Sequence, residues 1–485
     1  MDLKDNKTSR MDRKKYKRIP GSGIKLLLAA ALTSACIVPL GSAAAEEAGA
    51  PAPGAVSATA CPSGPLRLAL GERADAKTKL GLPAVEGGYL FRIAEGQAAR
   101  VTLAGMTVPL VPGSATLEVR KAMPADETDG SETPAACRVT VRVEAAAKPN
   151  PALAPRAESR TVKVGGKSFA VRAVYIPKGV PVDVGLGQDR VGGTEALASI
   201  AQRRHADVAV NGTFFEAYGG IPEPWGTLIA DGEIAHVGNT GTAIGFAADG
   251  TAKMDTLRVR IGGTTSHPAS GKTAGWYAYF VNRTPAEGAN AAILYTPKRG
   301  SRIGFARGTA VVVRGGIVEK IVKEENAVIP KDGYVLVYTG NEQSQATRFA
   351  VGSRVRYDVS YTNAAGKPID WSGVVTAVGA GPRLVQDGKL RIDAKAEGFT
   401  EAKILTAAAA RSGIGIRKDG SIVVATTTAT IAQLGSILLQ LGAVQGMNLD
   451  GGASSGLYTM GGLKTTPGRT LSNTLVFGQS LAFRP

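Results

Sequence analysis

The densest run of reactive side chains is Met447-Asn448-Leu449-Asp450-Gly451-Gly452-Ala453-Ser454-Ser455-Gly456. An apolar run that stops at Asp450 predicts a short buried strand carrying one carboxylate at its end. Gly451 and Gly452 then free the backbone, while Ser454 and Ser455 add hydroxyls. A loop of this kind offers N–H and hydroxyl donors to an anion. It is equally a tight turn that Asp450 caps.

Three other segments have the same texture. Asp207-Val208-Ala209-Val210-Asn211-Gly212-Thr213-Phe214-Phe215 is an apolar strand delivering Asn211 and two aromatic rings to a loop. Val378-Gly379-Ala380-Gly381-Pro382-Arg383 is a strand broken by Gly and Pro, where backbone can approach a ligand closely. Arg411-Ser412-Gly413-Ile414-Gly415 ends a predicted helix and starts a strand. Taken singly, each of these three reads as a turn rather than a site.

In this order the four segments resemble the phosphodiester glycosidase family, over roughly 165–480. Asn448-Leu449-Asp450-Gly451-Gly452 is the most specific element, and Gly468-Arg469 through Asn473 extends the likeness. Thr213 and Ala453 depart from the family pattern, but neither removes a charged group.

The resemblance implies cleavage of a sugar from phosphate at its anomeric carbon. No cofactor is expected, and three scattered histidines with two cysteines make no zinc cluster, so no metal is expected either. Charge building on the sugar ring then needs a carboxylate, and Asp450 with Arg411 beside it is the implied catalytic pair. Arg411 and Arg469 are the guanidinium donors to phosphate, and Ser412, Gly451, Gly452, Ser454 and Ser455 add N–H and hydroxyl groups. Asn211 and Gly212 hold a sugar hydroxyl or acetamido group, Phe214 and Phe215 wall the pocket, and Gly379, Gly381 and Arg383 complete the binding set. Glu216 and Glu223 are both open as a second carboxylate.

The elements that must position these groups are mostly strands. Alternating apolar residues predict strands at 169–175, 208–210, 311–313, 334–338, 354–361 and 422–426. Helices are predicted at 194–205, at the Ala-rich 400–411, and at 429–441 with Ile431, Leu434, Leu438 and Leu441 on one face. Few helices among many strands give an α+β fold rather than a doubly wound parallel sheet. Residues 61–144 show short period-2 runs and predict a small all-β domain ahead of the β-rich catalytic domain at 161–485. Pro151, Pro155 and an alanine run mark 145–160 as a linker.

The first 45 residues carry nine Lys or Arg against three Asp around the apolar run Leu26–Leu40, with Ala43–Ala45 following. That is the pattern of a secretory signal, and its apolar run is short of the ~20 residues of a membrane span. A flexible Ala/Gly/Pro-rich stretch covers 46–60. A lipid anchor at Cys36 is the weaker reading, because Leu32 lies one place too far upstream. An exported chain retaining Cys61 and Cys137 is expected to pair them as one disulfide.

The formal charge of +17, less +6 for the leader, leaves +11 on the mature chain. This suits an anionic envelope polymer as neighbour. No basic cluster interleaves aromatics, so nucleic acid is not an expected partner. Gly452-Ala453-Ser454-Ser455-Gly456 fits a nucleophile elbow, but His205, His236 and His267 all precede it, against the required order. Ser266 stands where a phosphate-binding loop ending Gly271-Lys272-Thr273 needs glycine. The expectation is a secreted or envelope glycosidase acting on a sugar-1-phosphodiester. The alternative is a non-catalytic wall- or exopolysaccharide-binding module.

Overall fold

The computed structural model describes residues 64–85, 88–121 and 137–483. The expected leader, the stretch 46–60 and Cys61 lie outside the described residues, so the Cys61–Cys137 pairing stays an expectation. Strands dominate and helices are few and short, as an α+β fold requires. No described helix is long and apolar enough to cross a membrane.

The N-terminal region is strand-built. Leu66–Ala69 lies parallel to Cys137–Glu144, which pairs with Gly113–Lys121 and through it with Tyr89–Glu95. The alternation in Cys137–Glu144 sends Val139, Val141 and Val143 inward onto Leu66, Leu68 and Leu117, and leaves Arg138, Thr140 and Arg142 in solvent. Met106 and Val108, from a second, three-stranded sheet, join Leu197, Ile200 and Phe215 of the larger region in one apolar cluster. Of the expected linker, Pro151–Leu153 is a single 3-10 turn, and the chain from Arg156 is already the strand Arg156–Val164.

The larger region is a stack of layers. A seven-stranded sheet runs Lys389–Leu390, Arg383–Gln386, Ala443–Asn448, Ala409–Arg417, Ile422–Ala429, Lys167–Ile176, Arg156–Val164. Its outer face packs under the helix Ile431–Gln440 through Leu434, Ile437 and Leu438. Thr430 and Gln433 close a capping box at the start of that helix, and Gly442, with φ of 89°, ends it. The chain then turns directly into Ala443–Asn448, which leads to Asp450. The inner face packs on two five-stranded sheets through Val174, Val424, Ile414 and Met447. One of those sheets contains Val208–Asn211 and Asn473–Phe477, and the other is centred on Val374–Gly379. A nine-stranded sheet covers the far side around Trp276, Tyr334 and Trp371.

Three expected elements are corrected. Only Ala402–Leu405 of 400–411 is helical; from Ala409 the chain is a central strand, because pairing on both edges outweighs the helix propensity of alanine. The helix expected from Thr194 spans Leu197–Arg203. The strand expected at 354–361 is two, Arg354–Val355 and Asp358–Thr362.

A buried ion network joins the N-terminal region to the layers. Asp231 pairs with Arg73 at 3.4 Å, with Lys298 at 2.8 Å and with Arg100, while Arg73 also meets Asp183 at 3.3 Å. Burial alone pushes the Asp231 carboxyl up, but Arg100, Lys298 and Arg73 outweigh it and hold the group well below its ordinary value. Asp231→Asn strands these cations without their counter-charge. It is expected to cost about 3–5 kcal/mol in urea unfolding, and a change lost in experimental error contradicts the assignment.

Candidate active site

The site is assembled at the ends of strands, around one amide. Val208, Ala209 and Val210 are buried in the cores, and Asn211 is carried to the strand's end, where it too is buried. Its Nδ2 donates to the Asp450 carbonyl at 2.7 Å. Its Oδ1 accepts from Ser412 Oγ at 2.6 Å and from the Gly456 N–H at 3.0 Å. The Asp450 N–H donates to the Gly212 carbonyl at 3.0 Å. A Cβ on Gly212 would run into Asn473 Oδ1, which accepts from the Thr213 N–H at 2.7 Å. The Gly381 N–H donates to the Asn448 carbonyl at 3.0 Å, and Asn448 Nδ2 returns a bond to the Gly381 carbonyl at 3.0 Å. All four segments therefore meet.

Asp450 Oδ1 accepts from the Gly451 N–H at 2.8 Å. Burial pushes its carboxyl up to about 6, although Ser454, the Gly451 N–H and the charges of Arg469 and Lys403 pull the other way. Arg411 is buried, whereas Asp450 is half-buried. Its Nε donates to the Ala429 carbonyl at 3.3 Å, and its Nη2 to the carbonyls of Lys403 at 2.6 Å and Ala407 at 2.8 Å. That leaves Nη1 uncommitted among the described residues, 3.4 Å from where a Cβ on Gly451 would lie. Burial lowers the Arg411 pKa, and the Asp450 charge partly restores it. Arg469 donates to the Tyr218 hydroxyl at 3.0 Å and lies 4.9 Å from that ring's centre. Among the described residues neither arginine forms a direct ion pair with Asp450. The carboxylate and the cations are close enough to feel each other but are not spent on each other.

The other expected residues differ in their surroundings. Arg383 donates from its Nη1 to Gln445 at 2.9 Å, and its backbone N–H goes to Glu397 at 2.8 Å. Gly379 donates to the Thr227 carbonyl at 2.7 Å, inside a sheet. Phe215 is buried with Leu197 and Tyr458, whereas Phe214 is partly buried against Phe399, with ring centres 6.0 Å apart. Glu223 pairs with Arg299 at 2.6 Å and accepts from Thr284. Glu216 accepts from the Tyr218 N–H at 3.0 Å. Gly452 is exposed with φ of 61°, while Ser454 and Ser455 are buried.

A cleft of about 360 Å³ opens beside Arg411 and Ser455, and Arg172, Thr426, Thr428 and Thr465 help line it. Reasoning from sequence missed these four. The available signal was the run Thr426-Thr427-Thr428 at the end of an apolar strand, with Arg172 interrupting another.

Residues 307–478 match the family model for phosphodiester glycosidases. Asp450, Arg411 and Arg469 fall inside that match, while Asn211 lies before it and is joined by the geometry. No curated protein matches the chain. A hypothetical protein from Synechocystis shares the fold at TM-score 0.57 and 22% identity, over 80% of this chain and 81% of its own. A Burkholderia pseudomallei protein described as exported aligns at TM-score 0.53 and 21% identity, over 64% of this chain and 74% of its own. The zebrafish N-acetylglucosamine-1-phosphodiester alpha-N-acetylglucosaminidase catalytic domain, auto-inhibited by pro-peptide, aligns more loosely. Its TM-score is 0.38 at 14% identity, over 68% of this chain and 84% of that one.

A carboxyl whose folded pKa lies above its unfolded value favours the fold when protonated, so its contribution is lost as pH rises from the unfolded pKa through the folded one. For Asp450 that window runs from 3.8 to about 6. Asp450→Asn removes the charge. It is expected to unfold later than wild type above this window, by at most about 3 kcal/mol, and with no advantage at pH 4. Thermal melts across pH 4–8 check this, and a variant less stable at every pH contradicts it.

Proposed function

We propose that this protein is an exported glycosidase that hydrolyses a sugar-1-phosphodiester in an envelope or extracellular polysaccharide. The observation that carries the reading is the Asp450 carboxyl, raised to about 6 by burial, beside a guanidinium with one nitrogen uncommitted. The family match over 307–478 supports it independently. The export part rests on the basic and then apolar leader.

In this reading the sugar's anomeric carbon faces Asp450, and its phosphate meets Arg411 and the Gly451–Ser455 loop. Water adds its hydroxyl to the anomeric carbon and gives its proton to Asp450. The anomeric C–O bond breaks, and its electron pair leaves with the phosphomonoester. Asp450 then releases the proton to solvent. A phosphomonoester, with a second pKa near ~6, departs without much help from an acid. This fits a site in which Glu223 is held by Arg299 rather than poised beside Asp450. Arg411 and Arg469 offset the charge gathering on the departing phosphate.

Two outcomes test the proposal. Hydrolysis of a sugar-1-phosphodiester panel in heavy-oxygen water places the label on the sugar; label on the phosphate contradicts the stated bond cleavage. Asp450→Asn lowers kcat by about 10²–10⁴-fold, and wild-type kcat/KM falls as pH drops through about 6. Saccharide binding with no turnover by wild type favours the binding-module alternative.

A further inference from the structure

The cleft beside Arg411 shares Arg411 and Ser455 with the catalytic reading and adds side chains that it does not use. Its lining holds two guanidiniums, Arg172 and Arg411, and six hydroxyl side chains, with no carboxylate. The strand register explains its origin. Val174, Val424 and Ile414 fill the inner core in one row across three strands. Two residues further along each strand the same row reads Arg172, Thr426, Ser412. The sheet face thus changes from aliphatic to cationic and hydroxylic at its end. Apolar packing stops there and a cavity remains.

The polar groups at this end are only partly satisfied by the protein. Ser455 Oγ is buried and has no hydrogen-bond partner among the described residues. Thr426 and Thr465 hydroxyls share one bond at 2.7 Å, which leaves each with further capacity. Thr427 is committed to the Ala170 carbonyl at 2.8 Å. Arg411 borders the cleft with Nε and Nη2 fixed on carbonyls. A buried hydroxyl without a partner is costly in an empty site and productive in a filled one. A volume of about 360 Å³ falls within the range of small-ligand clefts, ~300–1,000 Å³.

We propose that this cleft binds a phosphomonoester carried on a polyhydroxylated group, with Arg172 as the residue that selects for its charge. Arg172 and Arg411 grip the phosphate, Ser455 Oγ donates to it, and the threonine hydroxyls meet the polyol. Placing this group as the leaving side of the cleaved phosphodiester rests on the glycosidase reading. The anion-binding cleft itself does not.

The test is calorimetric titration of the mature protein with glucose 6-phosphate, glucose and inorganic phosphate at low salt. Glucose 6-phosphate is expected to bind wild type and Asp450→Asn alike, and glucose to bind neither. Arg172→Ala, at an exposed position, should weaken that binding by about tenfold, the scale of a charge-assisted hydrogen-bonded pair. Arg172→Lys should recover part of it, and Ser455→Ala should weaken it less. In turnover, Arg172→Ala should raise KM and leave kcat nearly unchanged. Equal binding by Arg172→Ala and wild type overturns the proposal, as does glucose binding as tightly as its phosphate, or no phosphate ester binding at all. Turnover of a sugar-1-phosphodiester without such binding removes the cleft and leaves the glycosidase reading standing. Binding without any turnover does the reverse.

Discussion

Both ends of the Asn211 amide are committed inside the protein, and the committed partners come from two distant parts of the chain. The nitrogen holds the Asp450 carbonyl; the oxygen is held by Ser412 and by the backbone after Ser455. An amide is the side chain of this length that can donate at one end and accept at the other. Aspartate would set an acceptor against the Asp450 carbonyl, and leucine would bury that carbonyl and the Ser412 hydroxyl unpaired. The position of the Asp450 loop relative to Arg411 is thus fixed by one hydrogen-bonding group, held rigid because the strand that presents it is apolar and fully packed.

That rigidity is what makes the electrostatics of the site possible. Arg411 is buried and Asp450 is half-buried, and charged groups so placed are costly unless they are paired. Here Arg411 is pinned from behind by three backbone carbonyls, and Asp450 is turned onto the Gly451 N–H. The network around Asp231 shows the other behaviour: its carboxylate contacts its cations directly and its charge is fully used. A structural carboxylate is pulled below its ordinary pKa, and the one in the site is pushed above it. The contrast separates support from chemistry within one molecule.

Much of this was legible in the sequence because its physics is local. Period-2 alternation located the strands around Val208 and Ile422, and the spacing of Ile431, Leu434 and Leu438 located the helix that precedes the site. The strand that leads to Asp450 followed from one apolar run and a pair of glycines. What failed was decided by tertiary partners. The alanines Ala407–Ala410 suggested a helix, and central pairing in the sheet from Ala409 onward overrides that propensity. Arg383 and Glu223 are held by Gln445 and Arg299, partners far away in sequence that local patterning could not show. Arg172 was invisible because its meaning depends on lying across from Thr426 and Ser412, a register that only the assembled sheet reveals.

The central claim is that burial holds the Asp450 carboxyl above its ordinary pKa beside cations that do not neutralise it. Carbon-13 NMR titration of labelled aspartate carboxyls, with Asp450→Asn used to assign the resonance, measures this directly. A midpoint near 6 is predicted. A midpoint at or below 3.8 means a direct ion pair with Arg411 or Arg469, and contradicts the account.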